Sequence, residues 1–195
     1  MRSELAGMTV SEFTDLPNEL AEDLKTLLER EILYGERAGS PPFIRDIKLF
    51  RKPPSAILNN DLISTKHLVE LFYWVKDLYP EELQYAAIDE YWDELDLFRN
   101  SEMENQQEFR NYVKYLFLEP EYYDEDDAEG YDLAQRERIL NDLLKFLEVP
   151  MFGFDPDYEV SLYCLTDDQN ENTAFAPYVF VGHTGLLILL REWIL

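Results

Sequence analysis

The chain has 195 residues, of which 46% are hydrophobic and 14% aromatic, and its 17 basic residues face 41 acidic ones, which gives a formal net charge of −24. This composition supplies enough apolar side chains for one compact core, and it is too aromatic for a disordered acidic tail. The negative charge makes nucleic-acid backbones and anionic membrane surfaces poor partners. The sequence therefore predicts a single folded domain over 1–195 that binds neither directly.

Cysteine content and the N-terminal sequence indicate where the protein acts. Cys164 is the only cysteine, so an internal disulfide cannot form, and the first residues, MRSELAGMTVSEF, lack the apolar run of a signal peptide. The aliphatic run LLILL at 186–190 is far shorter than the roughly 20 residues that a membrane span requires. We therefore expect a soluble protein in the reducing cytoplasm.

Helical periodicity dominates the first three-quarters of the chain, about 14–149. Apolar residues recur every three or four positions over 16–33, over 68–78 and again over 83–98, which predicts three helices. Gly35 is placed to end the first of them.

Two further helices are predicted from their capping residues. Ser101 and Glu104 have the spacing of a capping box, and an apolar helical stripe follows them. Asp132 and Gln135 repeat the pattern, and Pro150 is expected to end the helix that they begin.

Strand periodicity appears mainly in the last part of the chain, 150–195. Apolar and polar residues alternate over 158–165, and the apolar runs 175–181 and 186–190 flank a glycine-containing loop, which predicts a hairpin. The second run is apolar on both faces, as in a central strand covered on both sides, and a short strand is also predicted at 43–50. The fold class is therefore α+β, with a mostly helical N-terminal three-quarters packed with a small antiparallel C-terminal β-sheet.

The negative charge is concentrated between Glu81 and Asp132. This window holds 18 acidic and three basic residues, a net charge of −15, with eleven aromatic residues among them. Solvated faces of ordinary helices with aromatic cores would also produce this pattern. A surface that combines negative charge for steering with rings for anchoring is, however, the kind that binds a basic protein.

The segment Glu119–Asp132 is the strongest candidate for such a surface. It carries eight carboxylates, three tyrosines and no cation, and it has no helical period. We expect it to be exposed, with side chains that contribute to binding rather than to stability. The basic stretch 37–52 is expected to pair with this acidic face, within the chain or between copies. The predicted partner-binding residues are Tyr122, Tyr123, Asp124, Glu125, Asp126, Asp127, Glu129 and Tyr131.

No metal or cofactor site is predicted. With Gly130 at the sixth position of an EF-hand loop, the twelfth position is Arg136, where calcium requires a bidentate Glu. Two histidines and one cysteine cannot build a zinc site without carboxylates, and neither HExxH nor CxxC occurs. Glycine-rich nucleotide loops and the GxSxG elbow are also absent from the sequence.

These patterns predict a non-enzymatic inhibitor of the immunity type. It would neutralise a basic partner, a nuclease toxin or another nucleic-acid enzyme, by occupying its cleft. A DNA-mimicking anti-restriction or anti-defence protein is a variant of this mechanism with a different partner. One alternative is an enzyme with a site near Cys164 and His183, because a thiolate nucleophile needs a nearby imidazole. Another is a structural subunit of a larger complex, in which exposed tyrosines are buried against other chains.

Overall fold

The computed structural model of the chain describes residues 4–5, 8–9, 11–12, 16–38, 41–51, 65–84, 100–123, 132–164 and 175–193. The described elements confirm the predicted α+β fold. In chain order they are β1 (Glu4–Leu5), β2 (Met8–Thr9), β3 (Ser11–Glu12), α1 (Asn18–Ala38), β4 (Phe43–Arg51), α2 (Thr65–Leu78), β5 (Asn100–Met103), α3 (Gln106–Leu116), a 3-10 turn (Pro120–Tyr122), α4 (Leu133–Phe152), β6 (Val160–Cys164), β7 (Phe175–Val181) and β8 (Gly185–Glu192).

The main sheet is antiparallel and has the strand order β3-β4-β8-β7-β6-β5, while β1 and β2 pair separately. The predicted hairpin is β7–β8, which closes with Val181 opposite Leu186. Because β8 lies between β7 and β4, the LLILL run is a central strand, as its two-faced apolar pattern predicts.

The sheet is covered on both faces, so that the described elements form three layers. Leu187 and Leu189 of β8 pack in the cluster that includes the buried faces of α1, α3 and α4. Leu186, Ile188 and Leu190 point to the other face and pack in the cluster that contains α2. Strand periodicity places successive side chains on opposite faces, which explains how one aliphatic run serves both clusters.

The sequence predicted a small sheet in the C-terminal part, 150–195. The sheet extends beyond that part, because three strands from earlier in the chain join it. β4 pairs with β8, β3 pairs with β4, and β5 forms the opposite edge beside β6. The polar sequence NSEM of β5 lacks the alternation that marks a strand, because its residues lie at a sheet edge.

The predicted end of α1 at Gly35 is wrong, because the helix continues to Ala38. Gly35 is buried, and a Cβ added to it would lie 2.2 Å from Cδ1 of the Phe43 ring. The glycine therefore serves the close approach of α1 to β4 and does not terminate the helix.

Two other helix boundaries also differ from the prediction. The N-cap of α3 is Asn105, four residues after the predicted cap Ser101, and its side chain accepts a hydrogen bond from the Glu108 amide at 3.0 Å. α4 begins after Asp132 as predicted but passes through Pro150 to Phe152. The missing amide of Pro150 removes only one bond, and Gly153 N still donates to Val149 O at 2.8 Å.

The helix predicted over 83–98 lies largely outside the described residues, and its described start, Pro80–Gln84, forms turns. Among the helices that the structure describes, none combines the length and the apolar character needed to cross a membrane.

Candidate functional site

The described part of the predicted binding segment is an exposed turn next to α4. Glu119, Glu121 and Tyr122 are exposed on the 3-10 turn, and Tyr122 retains 43% of its accessible surface. We call the four residues Glu119–Tyr122 the acidic turn. The predicted binding residues Asp124, Glu125, Asp126, Asp127, Glu129 and Tyr131 lie outside the described residues.

Tyr123 does not belong to the exposed surface, which corrects the sequence prediction. Its ring is partly buried against Tyr34, with ring centroids 4.6 Å apart, and its hydroxyl donates to Oε1 of Glu31. Truncating Tyr123 would therefore remove a structural hydrogen bond as well as any contact with a partner. Of the two adjacent tyrosines, only Tyr122 is a suitable probe of binding.

A buried ion pair anchors the acidic turn. Nε of Arg136 donates to Oε1 of Glu31 at 2.7 Å, and these side chains are 3% and 0% exposed. The Leu118 amide donates to the other carboxylate oxygen, Oε2, at 2.8 Å, and Arg136 Nη2 donates to the Leu118 carbonyl. Glu31, Arg136, Tyr123 and the Leu118 backbone form what we call the Glu31 network, which joins α1, α4 and the acidic turn.

Two charged residues at core positions of helices are the signal for this network in the sequence. Glu31 follows Leu20, Leu24 and Leu27 on the buried stripe of α1, and Arg136 precedes Leu140 and Leu143 on the buried face of α4. A charged residue at a core position of a helix requires a buried partner. Two such positions of opposite sign predict a pair, although nothing local specifies which residues meet.

Burial also sets the ionisation properties of this network. It raises the pKa of the Glu31 carboxyl, and the Arg136 guanidinium offsets part of that rise. Burial together with the Glu31 carboxylate raises the pKa of the Tyr123 phenol. The charged groups of Glu31 and Arg136 are buried and bonded to each other, so they are not placed to bind or attack a substrate from solvent. We interpret the Glu31 network as structural support for the acidic turn.

Three tyrosines that are buried or partly buried are expected to make the fold sensitive to alkali. Burial raises the pKa values of Tyr79, Tyr123 and Tyr178 above the ordinary value, whereas the unfolded chain ionises its tyrosines near pH 10. Their contribution to stability is therefore complete below about pH 10 and decreases as the pH rises above it. Urea unfolding between about pH 9 and pH 11, followed together with phenolate absorbance, checks this. Phenolate formation by all tyrosines near pH 10 without loss of stability would contradict it.

Three cations of α3 and α4, Arg110, Lys114 and Arg138, are engaged in ion pairs. Each contacts a carboxylate of a helix rather than the acidic turn. The pairs are Arg110–Glu148 at 3.1 Å, Lys114–Glu137 at 3.2 Å, and Arg138 with Asp23 at 3.1 Å and with Asp142 at 3.3 Å. These three cations are therefore paired with carboxylates outside the acidic turn.

The predicted pairing between the basic stretch 37–52 and the acidic face is not formed by its residues Arg45 and Lys48. Arg45 contacts Glu36 at 3.2 Å and Glu192 at 3.3 Å, while Lys48 contacts Asp46 at 3.0 Å. These carboxylates belong to α1, β8 and β4, so Arg45 and Lys48 neutralise charge on those elements.

Cys164 and His183 are not brought together by the sheet. Cys164 is buried and lies opposite Tyr178, whereas His183 is exposed in the β7–β8 turn, five positions further along the chain. At the rise of a β-strand this separation is roughly 15 Å. The two side chains therefore do not form a nucleophile–base pair in this structure.

No group of three or more potential ligands converges on a metal position within the described ranges. The loop tested as an EF-hand lies mostly outside those ranges, but its twelfth position, Arg136, is described. That guanidinium is held in the Glu31 network and supplies no carboxylate.

Comparison with known proteins identifies no relative of this chain: no protein-family model matches it, and no curated protein or solved structure matches it either.

Proposed function

We propose that this chain is a cytoplasmic, acidic inhibitor of the immunity type. It neutralises a basic partner, a nuclease toxin or another nucleic-acid enzyme, by covering the cleft that binds the nucleic acid. The observation that carries the proposal is the acidic turn, which exposes Glu119, Glu121 and Tyr122 on a buried, hydrogen-bonded support.

The support matters because a rigid surface loses little conformational entropy on binding. Tyr122 N donates to Glu119 O and Tyr123 N donates to Pro120 O, each at 3.1 Å, so that the backbone of the turn is closed on itself. The Glu31 network then fixes Leu118 and Tyr123 on either side of the turn. The backbone that carries Tyr122 is thereby held on both sides.

The charge around the acidic turn also favours binding to a basic cleft. The sequence continues from the acidic turn into Asp124, Glu125, Asp126, Asp127 and Glu129, while Arg110, Lys114 and Arg138 pair with carboxylates of helices. A basic cleft that binds phosphates is attracted to such a surface, which raises the association rate. Tyr122 then supplies contact area of the kind that slows dissociation.

The experiment measures association and dissociation separately. The tagged chain is copurified with its partner from the native source, and the partner is purified, identified and assayed for nuclease activity with and without the chain. Replacing Asp124, Asp126 and Asp127 by Asn should slow association and weaken its dependence on salt, because exposed charges act over a Debye length of about 8 Å. Tyr122→Ala should speed dissociation, at a cost of about 2 kcal/mol.

Two matched controls separate these effects from general changes in charge or surface. Glu19, Glu22 and Glu29 are exposed on α1, and replacing them by Gln removes the same charge away from the acidic turn. Tyr73 is 53% exposed on α2 and serves as the control for Tyr122. We expect both control variants to bind like the unmodified chain and the Asn and Tyr122 variants to melt like it.

Three outcomes would overturn the proposal. They are a partner that is not basic, a nuclease activity that the chain leaves unchanged, and binding rates that do not respond to the Asn and Tyr122 substitutions. Turnover of a substrate that Cys164→Ala abolishes in a folded variant would instead favour the enzyme alternative. A chain that is unstable without its partner would favour the structural-subunit alternative.

A further inference from the structure

A second exposed aromatic surface lies at the C-terminal end of α4. The Phe154 side chain is 100% exposed, and Val149 in the last turn of the helix is 55% exposed. A Cβ at Gly153 would lie 3.0 Å from Nδ1 of His183, and the Tyr158 ring packs edge-on against His183 with centroids 5.2 Å apart. We call these five residues the Phe154 patch.

The backbone around Phe154 is held by hydrogen bonds on both sides, although its ring is fully exposed. Gly153 has a φ of 63°, which suits a glycine at a helix end. An exposed ring on an ordered turn can bind without a large loss of conformational entropy. The bonds are Gly153 N to Val149 O at 2.8 Å, Asp155 N to Phe152 O at 3.1 Å, Tyr158 N to Asp155 O at 3.1 Å, and Gln106 N to Pro156 O at 3.4 Å.

The rim of the patch is acidic. Asp155 and Asp157 follow Phe154 and are exposed, and Oδ1 of Asp155 accepts a hydrogen bond from the Asp157 amide at 3.1 Å. An apolar centre with a charged rim is the usual anatomy of a protein interface. The sign of this rim selects a basic partner.

The net charge of the chain disfavours the other occupants. Two copies, each with a formal charge of −24, repel one another, and nucleic acids and anionic membranes are repelled in the same way. A basic protein surface satisfies both the aromatic centre and the carboxylate rim.

We propose that the Phe154 patch is a docking surface for a basic protein, whose apolar pocket receives the Phe154 ring while its lysines or arginines meet Asp155 and Asp157. The acidic turn is tied to α4 at Arg136, 16 residues before the last residue of the helix, Phe152, so about 24 Å of helix separates the turn from this patch. The inference therefore goes beyond the proposed inhibitor function, and neither depends on the other.

The experiment uses the full chain carrying the photoreactive residue p-benzoylphenylalanine at position 154 or, in a separate variant, at position 122. Each variant is crosslinked in the organism that encodes the chain, and the captured protein is identified and produced in pure form. Affinity for the protein captured at 154 is then measured by calorimetry. Phe154→Ala should weaken binding about tenfold or more, and Asp155→Asn with Asp157→Asn should weaken its dependence on salt. Tyr73→Ala, the exposed-aromatic control, should leave the affinity unchanged.

The Phe154→Ala variant loses a ring that is fully exposed, so the variant should have the melting temperature of the unmodified chain. A loss of binding by this variant is then due to the missing ring and not to unfolding. The proposal is overturned if position 154 captures no protein, a second copy of this chain or a protein that is not basic, or if Phe154→Ala binds with unchanged affinity. The crosslink at position 122 tests the inhibitor proposal alone, so that the two can fail independently.

Discussion

Replacing Glu31 by alanine is expected to lower the free energy of unfolding by about 3–5 kcal/mol. The substitution leaves the guanidinium of Arg136, which is 3% exposed, without its charge partner. It also removes the acceptor of the Leu118 amide. Since the free energy of unfolding of small domains is only about 5–15 kcal/mol, this single change removes a large part of it.

Asp23 provides a matched control for this prediction. It also lies on α1 and also pairs with an arginine of α4, Arg138, but the two side chains are 25% and 50% exposed. Asp23→Ala should therefore cost less than about 1 kcal/mol. Urea unfolding of both variants, followed by circular dichroism, measures the difference. Equal losses for Glu31→Ala and Asp23→Ala would show that burial of the Glu31 network contributes nothing.

A double replacement tests the cause of that loss. If it arises from an uncompensated buried charge, Glu31→Leu combined with Arg136→Met should recover most of the stability, because an apolar pair of similar volume carries no desolvation penalty. If the double variant is as unstable as Glu31→Ala, the hydrogen bonds to Leu118 and Tyr123 are the dominant contribution instead.

The secondary structure that the sequence predicted correctly is the part specified by local periodicity. The alternation of Val160, Leu162 and Cys164 places all three on the sheet face that packs with α1, α3 and α4. The run 186–190 is apolar on both faces, which predicts a central strand. In the structure it is a central strand, and helices pack against both of its faces. Such patterns record which side of an element is buried, and that is a property of each segment alone.

Errors arose where the deciding contact is remote in sequence. Gly35 was predicted to end α1, but its role is to let α1 approach the Phe43 ring. The polar segment Asn100–Met103 is a strand only because it pairs with β6. In the candidate site, too, one prediction from local sequence was correct and one was wrong. Tyr122 is exposed as expected, whereas Tyr123 is drawn inward by Glu31, a residue 92 positions away. Spacing within a segment cannot reveal such partners.

The junction between the β7–β8 turn and the end of α4 is the second place where a single substitution should have a large effect. His183 N donates to Met151 O at 2.8 Å, and Thr184 N donates to Pro150 O at 2.9 Å. These bonds satisfy carbonyls at the end of α4 that have no partner within a helix. Gly182 allows the contact, because a Cβ there would lie 2.5 Å from Cα of Met151 and 2.9 Å from the Pro150 carbonyl oxygen.

Gly182→Ala should therefore lower the free energy of unfolding by about 2–4 kcal/mol, from overpacking against backbone and from weakened hydrogen bonds to Pro150 and Met151. Relief by movement of a side chain is not available, because two of the three nearest atoms belong to the backbone of α4. Thr184→Ala is the control, since it changes an exposed side chain of the same turn and retains the donating amide. Chemical unfolding of the two variants checks the prediction, and a loss below about 1 kcal/mol for Gly182→Ala would show that the turn and α4 can separate freely. The same displacement would carry His183 away from Gly153, so Gly182→Ala should also weaken binding at the Phe154 patch, whereas Thr184→Ala should not.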